Sequence, residues 1–193
     1  MIDARDSQTY TIVTIGTQTW MAENLNYYTT TFSKYWNNDS IEYAEDYGRL
    51  YDQAMADSVC PSGYHLPTDA EWKTLEGYLG MSSADQAKEG YRTSGDVGYD
   101  LKSGYSTITS YGNAYWRGQG FGSDDYNFTA LPAGFVRGFS FFGLSNNAYF
   151  WTSTVDSDMA SKFYFRSLAA GYDGITRDTQ SGSVYMSVRC IED

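Results

Sequence analysis

The chain has one histidine, His65, and two cysteines, Cys60 and Cys190, and these bound the nucleophilic and metal chemistry open to it. A structural zinc draws on several Cys or His ligands at short spacing, and neither cysteine has a second one at C-x-x-C distance. No zinc site is therefore expected. A Ser-His-Asp triad would have to use His65, which stands between Tyr64 and Leu66 with no G-x-S-x-G turn beside it, so a packed, hydrogen-bonded histidine is the expectation. A Cys60–His65 dyad is weaker still, because thiolate pairs take their histidine from elsewhere in the fold. Carboxylates gather at Asp124-Asp125 and at Asp156-x-Asp158. Calcium needs six or more converging oxygens, and pairs without EF-hand spacing read first as solvated acidic loops. None of the 24 acidic residues is marked out for glycosidase chemistry, and there is no phosphate-cradling glycine loop. Two cysteines also permit one disulfide, or else two buried reduced thiols.

The elements that must position these residues belong to a chain of 193 residues, a length that suits a single domain over 1–193. Lys plus Arg total 13 against 24 acidic residues, for a formal charge of −11, which repels phosphate backbones and anionic lipid heads. Nucleic acid is not an expected partner. No apolar run is long enough for a membrane span, and Met1-Ile2-Asp3 opens no signal peptide, although a leader removed in processing would leave the compartment open. Aromatics make up 18%, with 19 tyrosines, which serve both as strand formers and as binding-surface residues.

Residues 9–21 alternate polar and apolar around Gly16-Thr17, as in a hairpin. Residues 26–46 show no clear period and read as a long ordered loop, followed by a short helix at 51–57. Thr68 and Glu71 have the spacing of a capping box, so a helix is expected from 69 to about 79, with Trp72, Leu75 and Leu79 on its apolar face and Gly80 just past its end. From 81 to 127 the chain is irregular and rich in Gly, Ser, Asp and Tyr. Strands are expected at 148–154, 162–168 and 184–190, and the last buries Val184, Met186, Val188 and Cys190 on one face. In the second, Phe163 and Phe165 lie opposite Lys162, Tyr164 and Arg166. The small and polar residues of 169–174 and 176–182 read as an exposed binding edge or a turn. The fold class is α+β, with small antiparallel sheets, two short helices and long ordered loops.

Several segments together resemble a known family. They are Ile15-Gly16-Thr17-Gln18-Thr19-Trp20-Met21-Ala22-Glu23-Asn24-Leu25-Asn26-Tyr27, Tyr47-Gly48-Arg49-Leu50-Tyr51, the run from Cys60 to Trp72, Phe128-Thr129-Ala130-Leu131-Pro132-Ala133-Gly134, Phe150-Trp151-Thr152-Ser153-Thr154 and Ser187-Val188-Arg189-Cys190. The chain resembles the Fibrobacter succinogenes major paralogous domain, departing from it at Tyr64, at Tyr185-Met186 and after Tyr51. The resemblance implies a C-type-lectin-like fold, a secreted or cell-surface location, phage-associated or lipoprotein forms included, and a disulfide between Cys60 and Cys190. It also implies distant kinship with formylglycine-generating enzymes. These need a further reactive cysteine and metal chemistry, so their activity is not carried over. Relatives of this fold serve as variable proteins of diversity-generating retroelements, and the string Ala169-Ala170-Gly171-Tyr172-Asp173-Gly174, with Asp178 and Thr179, has the composition such mutagenesis leaves.

The expected function is thus a non-enzymatic recognition module for a protein or glycan ligand, without a required cofactor. Its expected contacts are Asp156, Asp158, Lys162, Tyr164, Arg166, Tyr172, Asp173, Arg177 and Asp178, with tyrosine supplying stacking area and the charged groups oriented hydrogen bonds. The alternative is a carbohydrate-binding, calcium-dependent lectin site built from Asp124, Asp125, Asn127 or Trp116. An enzyme of the formylglycine-generating type ranks third.

Overall fold

The computed structural model describes residues 1–104 and 115–193. Ile12–Ile15 (β1) and Gln18–Met21 (β2) form the expected hairpin, turned at Gly16 with φ of 63°. Residues 26–46 hold more structure than the single loop expected. Ser33–Lys34 (β3) is followed by a 3-10 turn at Trp36–Asn38 and by a helix at Ser40–Tyr47 (α1). Tyr43 and Tyr47, four residues apart on this helix, pack toward the core, with the Tyr47 and Tyr115 rings edge to face at 5.3 Å. Leu50–Tyr51 (β4) precedes Gln53–Val59 (α2), which starts later than expected because Tyr51 joins a sheet and Asp52 caps the helix, accepting from Met55 N at 3.0 Å.

After Tyr64–His65 (β5) the capping box forms as expected: Thr68 Oγ1 accepts from Glu71 N at 3.1 Å and the Glu71 carboxylate accepts from Thr68 N at 2.7 Å. The helix it opens, Asp69–Tyr78 (α3), buries Trp72 and Leu75 completely and ends at the Leu79 cap before Gly80. The stretch 81–127 contains Ser83–Gln86 (α4), Gly90–Arg92 (β6) and Val97–Leu101 (α5); the part of it over 105–114 lies outside the described residues. Phe135–Arg137 (β7) and Ser140–Phe142 (β8) form a small hairpin. Then come Asn147–Val155 (β9), Lys162–Ala169 (β10), Ile175–Ser181 (β11), Met186–Ser187 (β12) and Ile191–Glu192 (β13). Residues 176–182, expected as a turn or loose edge, are thus mostly strand.

The fold is α+β, with more helices than the two expected, each of ten residues or fewer. Seven strands form one sheet in the order β3-β4-β12-β9-β10-β11-β6, and β1-β2-β13-β5 form another. Register divides the larger sheet cleanly, because residues directly opposite across antiparallel strands share a face. Ala148, Leu168, Ile175 and Arg92 make one rung, and Phe150, Arg166 and Arg177 the next; all are buried, on the side that α3 covers. On the opposite side Trp151 and Phe165 pack with α2 residues Ala56 and Val59 and with Val184, Met186, Val188 and Cys190, the buried set expected for the last strand. The Cys60–Cys190 disulfide, with Cα atoms 5.9 Å apart, ties the end of α2 to this region across 130 residues. Closing a loop of that length contributes about 5 kcal/mol in the chain-entropy account. Among the described residues no helix is long and apolar enough to cross a membrane.

Candidate binding surface

The inner face of the β9–β10–β11–β6 region carries a buried ion network. Asp69, at the start of α3, accepts from Arg166 Nη1 at 2.8 Å, from Arg177 Nε at 2.8 Å and from Arg177 Nη2 at 3.0 Å, and pairs with Lys73 at 2.8 Å. Glu76, two turns further along α3, accepts from both terminal nitrogens of Arg92 at 2.7 Å and from Arg166 Nε at 2.5 Å. Burial alone would raise the Asp69 carboxyl, but hydrogen bonds from Arg177 and the charge of Arg166 outweigh it and hold its pKa well below the ordinary value. Tyr164 lies beside this network with its ring 4.0 Å from the Arg177 guanidinium, and its hydroxyl donates to Glu89 at 2.9 Å.

This placement corrects part of the sequence expectation. Alternation along β10 was legible, but the polar set Lys162, Tyr164 and Arg166 points to the α3 side, and Arg166 is 0% exposed with its guanidinium consumed by Asp69 and Glu76. Arg177 is buried in the same way. Neither presents a surface to a ligand. The physical cause is distant in sequence: two carboxylates on α3 neutralise cations that β10 and β11 would otherwise turn to solvent.

The outer face has a different character. Ser167 on β10 lies opposite Tyr149 on β9 and opposite Thr176 on β11, and Thr176 lies opposite Tyr91 on β6. These four residues form one rung across four strands, a span of roughly 14 Å at about 4.8 Å per strand spacing. At one end Tyr149 packs edge-on to Phe135 at 4.9 Å, and Phe135 stacks on Phe142 at 5.0 Å. At the other end Tyr91 meets Tyr172 at 5.7 Å, and its hydroxyl accepts from Gly174 N at 3.1 Å. Gly174 is required here, since a Cβ would strike Arg92 O and lie 2.8 Å from the Tyr91 ring. Two aromatic walls therefore flank a floor of small hydroxyl side chains. Exposed Asp178 continues the outer face one rung along β11, opposite Phe165.

The β10–β11 turn beside Tyr172 is held from below. Lys102, 1% exposed, donates to Tyr172 O at 2.8 Å and to Ala169 O at 3.3 Å, with its ammonium 5.5 Å from the Trp116 ring. Burial lowers the Lys102 pKa. The turn displays Tyr172 and Asp173 at the surface on a rigid support.

The nine expected contacts thus separate into three places. Tyr172, Asp173 and Asp178 belong to the outer face and its turn. Arg166 and Arg177 are interior, with Tyr164 over them. Asp156, Asp158 and Lys162 cluster at the opposite end of β10, where Asp156 accepts from Asp158 N at 2.9 Å in the β9–β10 turn. Seven residue steps along β10 separate the two ends by roughly 23 Å. The sequence does not mark out Tyr91 or Ser167 and offers Thr176 only within the small, polar stretch 176–182 and Tyr149 only within the strand 148–154, because cross-strand register alone brings the four together.

Two residues of the calcium-lectin alternative, Asp124 and Trp116, are engaged within the fold. Both Asp124 oxygens are taken by Thr129, from its backbone N at 2.7 Å and its hydroxyl at 2.8 Å, and Trp116 is 2% exposed with its indole N–H donating to Ser103 Oγ and Ala130 O. Arg189, of the Ser187-Val188-Arg189-Cys190 segment, is wholly buried. It donates to Asn24 Oδ1 and to the carbonyls of Met21, Phe128 and Thr129, and burial lowers its pKa to about 9. Its role is to clamp the N-terminal strand region to residues 128–129. His65 bridges Glu71 and Asp193, at 2.8 Å to each; it is hydrogen-bonded as expected, but its side chain is 37% exposed and so not packed in the interior. A separate cleft of about 600 Å³ between the N-terminal segment and α1 is lined by residues including Tyr10, Glu45, Asp46 and Tyr115, and none of the nine expected contacts lies in it.

No curated protein and no solved structure matches the chain. A family model, the Fibrobacter succinogenes major domain, matches residues 13–192, which take in the inner ion network, the outer aromatic rung and both cysteines of the disulfide. The chain belongs to the Fibrobacter succinogenes major domain family.

Proposed function

We infer that the protein is a non-enzymatic recognition module and that its binding surface is the outer face of β9, β10, β11 and β6 together with the β10–β11 turn. The observation that carries this is the Tyr149–Ser167–Thr176–Tyr91 rung, in which aromatic groups flank a hydroxyl floor on a sheet whose other face is fixed by buried ion pairs. Such a surface supplies contact area at low entropic cost, since its frame is already ordered. Both cysteines are joined in the disulfide, leaving no thiol for chemistry of the formylglycine-generating kind. A disulfide of this span also suits a secreted or cell-surface setting.

Genetic diversification of this surface belongs to the same proposal. Exposed Tyr172, Asp173 and Asp178 lie on either side of buried Ile175 and Arg177, so substitutions at the former would alter the surface and leave the interior untouched. The functional test is Ser167→Trp, which fills the floor of the rung. Wild-type protein and variant, both checked for native circular dichroism, are applied to arrays of glycans and peptides. The proposal expects a ligand bound by the wild type and lost in S167W. Equal binding by both proteins, or no bound ligand of any class, contradicts it.

A further inference from the structure

The outer rung also carries information about the chemistry of its ligand, an inference that rests on the recognition surface just described. We propose that the rung takes an uncharged glycan chain laid across the strands, with sugar rings against Tyr149 and Tyr91 and sugar hydroxyls bonded to Ser167, Thr176 and Asp178.

Three observations point this way. First, the walls are aromatic: at one end Tyr91 is 48% and Tyr172 58% exposed, and at the other Phe142 is 44% exposed beside a Tyr149 ring that is half-buried against Phe135 and the Trp151 cluster. An aromatic face offers its electron-rich surface to the polarised C–H groups of a sugar ring, and the separation of roughly 14 Å leaves room for a short run of rings between the walls. Second, the floor is made of groups that both donate and accept. Ser167 and Thr176 hydroxyls match the mixed donor and acceptor character of sugar hydroxyls, and the Asp178 carboxylate adds strong acceptors at the margin. A purely apolar partner would leave these groups unpaired.

The third observation concerns charge. Four cations of this part of the chain, Arg92, Arg166, Arg177 and Lys102, are drawn inward and neutralised or bound to carbonyls. The charges left near the rung on β11 and its turn are Asp173 and Asp178; at the hairpin end Arg137 lies over the Phe135 ring at 5.8 Å and the Lys34 ammonium is bound to Gly138 O at 3.0 Å. With a net charge of −11, the surface disfavours uronate, sulfate or phosphate polymers and complements a neutral polyhydroxyl chain. Nothing in this arrangement calls on a metal ion.

The test is affinity electrophoresis through gels containing neutral polysaccharides (β-glucan, mannan or galactan) or polyanions (polygalacturonate or heparin), each with EDTA present. At least one neutral polymer should retard the wild-type protein despite the chelator. Tyr91→Ala should lower that affinity about tenfold or more, the loss typical of a truncated aromatic anchor. Thr176→Val keeps the strand-forming shape, so it tests the hydroxyl without risking the fold, and it should weaken retardation severalfold. If S167W-sensitive binding is found only for a peptide or a polyanion, the recognition surface stands and the neutral glycan is wrong. Retardation by a neutral polymer that Y91A and T176V leave unchanged also overturns the glycan assignment. If no ligand responds to S167W, both fall together.

Discussion

Replacing Asp69 by Asn removes the negative charge on which the inner face is organised. The carboxylate now receives four charge-assisted contacts, two at Oδ1 from Arg166 and Arg177 and two at Oδ2 from Arg177 and Lys73, all between 2.8 and 3.0 Å. An amide keeps one acceptor oxygen and turns an NH2 group toward two donors, so at least two of these contacts are lost at a buried site. Hydrogen bonds to charged groups contribute about 1.5 to 3 kcal/mol each, and removing one partner of a buried ion pair costs about 3 to 5 kcal/mol. The second range is the better guide, since Arg166 and Arg177 remain buried with reduced compensation. For a chain of this size that loss lowers Tm by roughly 6 to 20 °C. Equilibrium unfolding in urea at pH 7 measures it directly. The acid limb should change too. A carboxyl held below its ordinary value of 3.8 stabilises the fold above that pH, and the stabilisation is lost as pH falls through the folded-state value. D69N should therefore flatten the loss of stability in acid. A cost below about 1 kcal/mol, or an unchanged acid limb, would refute the interior placement of Arg166 and Arg177.

Other consequences follow from individual contacts. Reducing the Cys60–Cys190 bridge, or replacing both cysteines by serine, should lower unfolding stability by about 2 to 5 kcal/mol in urea titrations with and without dithiothreitol. Burial pulls the His65 pKa down, but its bonds to Asp193 and Glu71 prevail and raise it above 6.5. The histidine therefore adds stability below pH 6.5 that is lost as pH rises through the folded-state value, and melting curves of His65→Gln should lack this dependence. Lys102→Met leaves the Ala169 and Tyr172 carbonyls without their donor, at a cost of about 1 to 3 kcal/mol, and hydrogen exchange at 171–173 should accelerate. Sequencing the DNA for residues 140–193 across a source population should show variation at Tyr172, Asp173, Thr176 and Asp178 with Trp151, Arg166, Arg177 and Cys190 constant; uniform sequence there would remove the diversification proposal.

Local signals in the chain were legible where a few adjacent residues decide the outcome. The Thr68–Glu71 box specifies the start of α3 through short-range hydrogen bonds, and the Gly16 hairpin is likewise a local matter. Alternation in β10 was equally visible, yet which of its faces turns inward depends on Asp69 and Glu76, about 90 or more residues earlier in the chain. A lysine, a tyrosine and an arginine on one strand look like a solvated stripe until those carboxylates are known. β11 escaped notice for a related reason: its inward residues include Arg177, and Thr176, Asp178 and Gln180 carry no apolar period. The outer rung was the least legible feature, because its four members come from four strands and only register aligns them.

The most direct measurement compares the two faces of this sheet within one set of variants. Ser167→Trp and Tyr91→Ala alter the outer face, Asp69→Asn and Arg166→Met the inner one, and each protein is assayed both for Tm and for retention on the ligand that the wild type binds. Outer-face variants should lose retention with Tm within a few degrees of wild type, and inner-face variants should lose Tm. Retention that survives both outer-face changes while the fold stays intact would contradict the assignment of this face as the recognition surface.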